Sequence, residues 1–385
     1  MRRLMTLVGA VVLVDTMFYA AITPLLPHLA RELSLGKNGA GVLTGAYAAG
    51  TLVGSLPAGW VIARAGVRPA MLLGLTLMSA AGLSFAFARD IAVLDAARFL
   101  QGVGGACCWA TGMAWLAAAA PRERRGQVIG SAIGVAVFGV QLGPVLGALA
   151  TWIGREAAFS TAVVFGLVLG CWALATPGRA PALDAPASPA VAFRDRRMLA
   201  GMWLTALPAS AFGVITVLAP LRLDALGAGG LALGATFFAA AGAEALVNPA
   251  VGRFTDRRGA RRLIPAALVA SGVAIVLLPL PGSAAVLAIC LVVAIGVLGA
   301  LWVPAMGVLT SGAERIGLDN GFATAFFTFA WAGGFAVGAV AGGALADATS
   351  DAVPYGLVAL LYVASALWAV SSGTRARAGV GRVAA

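Results

Sequence analysis

"GRFTDRRGARR", Gly252–Arg262, places five arginines and one acid between two long apolar runs. An earlier stretch, "GWVIARAGVRP" at Gly59–Pro69, repeats its frame. Gly59, Arg64, Gly66 and Arg68 stand where the later copy has Gly252, Arg257, Gly259 and Arg261. Ala63 occupies the place of Asp256. A basic loop that recurs between greasy segments indicates a duplicated unit.

The surrounding composition sets the solvent. Of 385 residues, 61% are hydrophobic and 11% charged, and the mean hydropathy is +0.96. Soluble domains run at about 45–50% apolar and about 25% charged, so lipid is the expected solvent for most of the chain. The net charge of +11 is scattered over short loops, a pattern of membrane topology rather than of a nucleic-acid-binding face. Cys107, Cys108, Cys171 and Cys290 lie inside apolar runs without metal-ligand spacing, and packing accounts for them. The opening "MRRLMTLVGAVVLV" has the basic start of a signal peptide, but many apolar segments follow, and it reads as a first, uncleaved span.

A bilayer-crossing helix needs roughly 20 mostly apolar residues. Twelve such runs are found, from Leu4–Pro27 to Val353–Ser372. The expected fold is an all-α integral membrane protein of twelve transmembrane helices in two pseudo-symmetric six-helix bundles. Residues 1–175 form one bundle, 176–197 a central cytoplasmic loop rich in proline and arginine, and 198–385 the other. With the N-terminus inside, the inward segments hold twenty of the 26 basic residues and the outward loops only Arg31, Lys37, Arg89, Arg155 and Arg222. That bias places both termini in the cytoplasm. The fifth run carries Gly139, Gly143 and Gly147, the eleventh Gly334, Gly338 and Gly342. Duplicated halves with a site near the midplane are the architecture of many secondary transporters.

These stretches resemble the major facilitator superfamily across nearly the whole chain. The Gly252–Arg262 loop looks like that family's signature between the second and third helices of a half. "LDAARFLQGVGGA" (Leu94–Ala106) resembles its fourth-helix arginine motif, and "GVQLGPVLGA" (Gly139–Ala148) the fifth-helix motif of drug:proton antiporters. The first run, an acid followed by "TPLLP" (Thr23–Pro27), is similar to the first helix of tetracycline exporters and vesicular amine transporters. The resemblance implies a cytoplasmic gate at Gly59, Arg64, Gly66, Arg68, Gly252, Asp256, Arg257, Gly259 and Arg261. With Ala63 in the first copy, the gate acid can only be Asp256.

The residues can also be read on their own chemistry. Gly139, Gly143 and Gly147 share one helix face, where small side chains permit close approach, and Pro144 bends the helix. The face is either static packing or a moving seal between the halves. Arg98 sits about 12 Å deep at 1.5 Å per residue and must find partners; Asp95 and Gln101 lie on its face. Asp15 lies near the midplane of the first run, with Tyr19 and Thr23 at helical spacing. A carboxylate balanced between burial, which favours its protonated form, and a nearby arginine, which favours the charged one, can take or lose a proton. Asp15, Arg98, Tyr19, Gln101 and Glu244 are the proton-coupling and substrate candidates; packing remains open for Glu244. His28 is read as an interfacial anchor, and Trp109, Trp203, Trp302 and Trp331 as core or as stacking surfaces.

The expected function is a proton-coupled exporter of small lipophilic or cationic organic compounds, such as drugs. The alternatives are a proton-coupled transporter of one polar metabolite, a sugar or amino acid, and a membrane sensor that transports nothing. No nucleophile–base pair or metal-ligand cluster is present in any run, so neither an enzyme nor a cofactor is expected. The expected partners are the lipid bilayer, protons and a small-molecule substrate, with no nucleic acid, in a monomer of the bacterial cytoplasmic membrane.

Overall fold

The computed structural model describes residues 1–121, 124–178, 189–318 and 320–381. Within helices, the side chains at 56, 125–126, 256, 258, 260–262, 320 and 372–381 lie outside the description. Among the described residues there is no strand. Lipid explains this: without water, every backbone N–H and C=O must be satisfied inside its own segment or in a closed barrel.

The first pass is α1 (Arg2–Ala20) with α2 (Ile22–Glu32), followed by α3 (Lys37–Ala65), α4 (Val67–Phe87), α5 (Ile91–Ala119), α6 (Arg125–Ile153) and α7 (Arg155–Ala175). After the central segment come α8 (Arg196–Ala225), α9 (Gly230–Arg258), α10 (Ala260–Leu277), the broken pass α11 (Ala284–Gly299) with α12 (Trp302–Arg315), α13 (Asn320–Ala348) and α14 (Ala352–Gly381). Counting α3 and α10 as one pass each gives twelve among the described residues, an even number that puts both termini on one face, called here the near face; the opposite one is the far face. Ten passes are long and apolar enough to cross a membrane, and α3 makes eleven if its 48° bend at Ser55–Pro57 is counted as one span. The expected twelfth is α10, whose apolar part, Leu263–Leu277, is shorter than a full span.

Prolines set where the passes break. Pro24 stands third in α2 and Pro304 third in α12. Neither can donate to the carbonyl four residues back, at Ala20 or Ala300, and the helix is interrupted just after each of these positions. Elsewhere, Asp90 caps α5 through the amides of Ala92 and Val93 at 2.9 and 3.3 Å. Asp195 caps α8 in the same way.

Glycines set how closely the passes approach. A Cβ at Gly139, Gly143 or Gly147 of α6 would collide with Leu13 and Thr16, Met17 and Ala20, or Ala21 and Pro24. Gly334, Gly338 and Gly342 of α13 meet Ala206, Ser210 and Val214 of α8 in the same fashion. The fifth pass thus packs on the first, and the eleventh on the seventh, by one repeated rule. The glycine seam, read from sequence as either static packing or a moving seal between the halves, lies within the first half. Its helix touches the second half elsewhere: a Cβ at Gly234 of α9 would stand 2.6 Å from Ala148, and one at Gly230 2.8 Å from Thr151. The mirror-image crossing joins α3 to α13, where Gly41 faces Ala339 and Gly343, and Gly45 faces Val340. Both crossings are at the far end. Gly130, Gly134, Gly242 and Gly252, nearer the termini, have nothing within 4 Å of where a Cβ would stand.

This packing makes a direct prediction. Gly143→Leu drives a side chain into the α1 backbone and should destabilise by about 1–3 kcal/mol, the usual range for overpacking. Gly130→Ala has free space and removes a helix-interior glycine, so its melting temperature should be unchanged or higher. Thermal unfolding of the two purified variants checks the pair; equal losses would contradict the packing described.

Candidate functional site

Arg98 is fully buried, and its position follows from the break in the first pass. Its guanidinium donates to the carbonyls of Phe18 at 3.3 Å and Tyr19 at 3.2 Å, immediately before the interruption at Ala21. It also donates to Gln101 Oε1 at 2.8 Å. The expected pairing with Asp95 is not made. Asp95 is turned instead towards a cleft lined by α3, α5 and Val340, and its Oδ1 has no hydrogen-bond partner. A planar fork of donors fits several carbonyls at once, which a neighbour one turn away does not.

Asp15 is likewise wholly buried. The Tyr47 hydroxyl of α3 lies 3.0 and 2.9 Å from its two oxygens, and the Trp109 indole of α5 donates to Oδ2 at 2.9 Å. Gly105 makes the room, since a Cβ there would stand 2.6 Å from Asp15 Oδ1. Arg98 stands over the Tyr47 ring, 5.2 Å from its centroid. The carboxylate, phenol and guanidinium form one compact group, with charge balanced inside the first half.

Tyr19 extends from this group into the second half. Its ring packs 4.8 Å from Tyr47, and 5.5 and 5.7 Å from Trp331 and Phe335 of α13. Thr23, expected on the same stripe, is buried among the helices. In the second half, Glu244 Oε1 accepts from the Trp302 indole at 2.7 Å. Trp302 is flanked by Phe212 and Phe327, each 5.8 Å away.

The signature loops adopt matched shapes. Gly66 and Gly259 both have positive φ, 86° and 78°, a region where only glycine is unstrained. Arg64 lies 4.3 Å over the Trp60 ring, Arg68 donates to the Thr176 carbonyl at 2.7 Å, and Arg257 is exposed. Gly59 and Gly252 have open space around them. The side chains of Asp256 and Arg261 lie outside the described residues, so the gate acid has no geometry to report. His28 lies 4.0 Å from Glu32 near the far face.

The far face carries an arrangement that the sequence reading missed. Arg31 pairs with Asp224, and Lys37 Nζ with Asp351 at 2.6 Å. The backbone amide of Lys37 donates to Asp347 at 3.2 Å. All three tie the first half to the second. Behind them, Arg155 donates to the Ala86 and Ala88 carbonyls and Arg222 to Pro281. These basic residues were counted only as a topological minority, and nothing local in the sequence marks partners 193 and 314 residues away. Tyr47 was also missed, although a lone phenol within an apolar run was a signal. Among the described residues, no group of three or more His, Cys, Asp or Glu could hold a metal.

Comparison with known proteins adds to this geometry. The profile of the Major Facilitator Superfamily matches residues 8–321. A chloramphenicol resistance protein of Streptomyces lividans is 33% identical over 252 residues, 62% of this chain and 63% of its own. Multidrug resistance protein MdtL of Escherichia coli O81 (strain ED1a) is 28% identical over 207 residues, 51% of this chain and 52% of its own. The matched stretches thus span about half to three fifths of these relatives. Among solved structures, a D-xylose-proton symporter superposes with TM-score 0.73 at 16% identity, covering 95% of each chain. The nucleoside transporter NupG gives 0.75 at 11%, covering 96% of this chain and 98% of its own. At such identities the structures establish the fold alone.

If the far-face pairs hold the halves together, Asp224→Asn with Asp351→Asn should spread that end. Exposed pairs contribute about 0–1 kcal/mol each, so a shift of up to about thirtyfold in the closed-to-open ratio is expected. Spin labels at Arg89 and Gly229 would report it as a longer distance component; an unchanged distribution would show that the glycine crossings alone close the face.

Proposed function

The chain belongs to the major facilitator superfamily, and on that premise we propose that it is a proton-coupled exporter of small lipophilic or cationic organic compounds. It is a multi-pass membrane transporter; the direction, the coupling ion and the substrate are the proposal. The near face is taken as cytoplasmic, in a bacterial cytoplasmic membrane, with residues 1–175 and 198–385 as the two moving units of a monomer. Asp256 is taken as the gate acid.

The observation that carries the reading is the wholly buried Asp15 and its neutral donors, Tyr47 and Trp109. An ionised carboxylate accepts from both. Once protonated, Asp15 can itself donate to the Tyr47 hydroxyl while still accepting from Trp109, so Tyr47 changes from donor to acceptor and its own proton must turn elsewhere. Tyr47 stacks on Tyr19, and Tyr19 packs on Trp331 and Phe335 across the inter-half boundary. A proton arriving at Asp15 thereby perturbs the packing between halves, which is what coupling to alternating access requires. Arg98 contributes by holding the break of the first pass in place, so that Asp15 keeps a fixed position while its protonation changes. The names of the drug-resistance relatives support export and an organic substrate.

Asp15→Asn keeps size and shape but removes the titratable group. Uphill transport driven by a pH gradient should be lost in proteoliposomes, with a fall of at least about a hundredfold, while insertion and thermal stability stay near wild type. The general reason is that coupling needs one group that alternates between proton-bound and charged states. Full uphill transport by the variant would sink the proposal. Resistance of expressing cells to a panel of toxic organic compounds, with and without an uncoupler, tests the substrate class.

A further inference from the structure

Two tryptophans occupy equivalent places in the duplicated halves. Trp109 is the eighteenth residue after the start of α5 at Ile91, and Trp302 the eighteenth after the start of its pass at Ala284. Each indole N–H donates to a carboxylate inside the membrane: Asp15 from the first pass, Glu244 from the eighth. The carboxylates come from helices that are not repeat-related, and their surroundings differ in one decisive respect.

Asp15 shares its site with Arg98. Seven residues after the start of the tenth pass, where the fourth has Arg98, stands Leu291, fully buried. No ion pair among the described residues reaches Glu244. Glu244 is the central residue of α9, fourteen positions from either end, so it is as far from bulk water along its helix as it can be. Its stem lies on Gly299, where a Cβ would collide with it. The break between α11 and α12 beside it brings a helix C-terminus and a helix N-terminus together, so their opposite partial charges offset one another. A carboxylate so placed has a fixed orientation and no counter-charge among the described residues, an arrangement that membranes penalise unless a cation arrives.

The walls suit one kind of cation. Phe212 and Phe327 flank Trp302, which holds the carboxylate. Aromatic faces attract weakly hydrated organic cations, and an apolar wall with few polar groups disfavours a hydrated metal ion or a sugar.

We propose that Glu244, oriented by Trp302 beside Phe212 and Phe327, is the binding site for the charge of a monovalent organic cation. Asp15 is thereby left to the proton. The inference rests on the transporter reading above and deepens it, since it assigns the two charges to different halves.

The test is equilibrium binding to the purified full-length protein in nanodiscs, which needs no transport. The probes are tetraphenylphosphonium and its uncharged relative triphenylphosphine oxide. Wild type should bind the phosphonium, Glu244→Gln should bind it at least tenfold more weakly, and Glu244→Asp should recover part of the affinity. Affinity for the phosphine oxide should be the same in all three. Glutamine can still accept from the Trp302 indole, and unchanged melting temperatures would exclude a folding defect. Failure of wild type to bind the phosphonium, equal binding by Glu244→Gln, or equal loss of both probes would each overturn the inference. Asp15→Asn, assayed for gradient-driven transport, separates the two readings. Loss of coupling there with unaltered phosphonium binding by Glu244→Gln leaves the exporter reading standing and removes this one; the converse removes the coupling role of Asp15 and keeps this site.

Discussion

The structure depends on the contact between Arg98 and the interrupted first pass. Pro24 cannot donate to Ala20, the helix is interrupted at Ala21, and the carbonyls just before that point take donors from Arg98 in a medium that supplies no water. One buried guanidinium serves Phe18 and Tyr19 and also holds Gln101. The break turns Tyr19 towards the second half, and the same cation balances Asp15 at the centre of the first. Polar groups in lipid are expensive singly and tolerable in networks. The candidate coupling site is therefore the place where the helix defect and the charge defect satisfy each other.

Packing follows a second constraint. Lipid gives no hydrophobic drive between helices, so association rests on close fit. Glycines supply it by one repeated rule: α6 on α1 and α2, α13 on α8, then the two crossings between halves. The first two contacts are internal to a half. The crossing of α3 on α13 is as extensive as these and that of α6 on α9 smaller, and at the far end they are reinforced by ion pairs that are partly exposed and individually weak.

The two intramembrane carboxylates show how duplication allows division of labour. The paired tryptophans keep an equivalent place, while the residue at the arginine position has diverged to Leu291 in the second half. That single difference leaves one carboxylate charge-balanced and the other open. On the proposed reading, a proton and an organic ion handled at different moments would each use one of these environments.

Much of the fold was legible from the sequence. Hydropathy, loop arginines, the repeated signature and the glycine spacing depend on local chemistry and on bilayer thickness, and both act through residues close together in the chain. The depths of Asp15 and Arg98 followed from the rise of a helix alone. What the sequence left open were the partners. Arg98 lies one turn from Asp95 yet binds the first pass; the α6 glycines face α1 rather than the other half; Arg31 meets Asp224. Glu244 carried no motif at all, and its significance depends on Trp302 being near and a second arginine being absent. Helical periodicity shows which side chains share a face, but the neighbour that a face meets is set by the packing of whole helices, so only the tertiary structure decided these contacts.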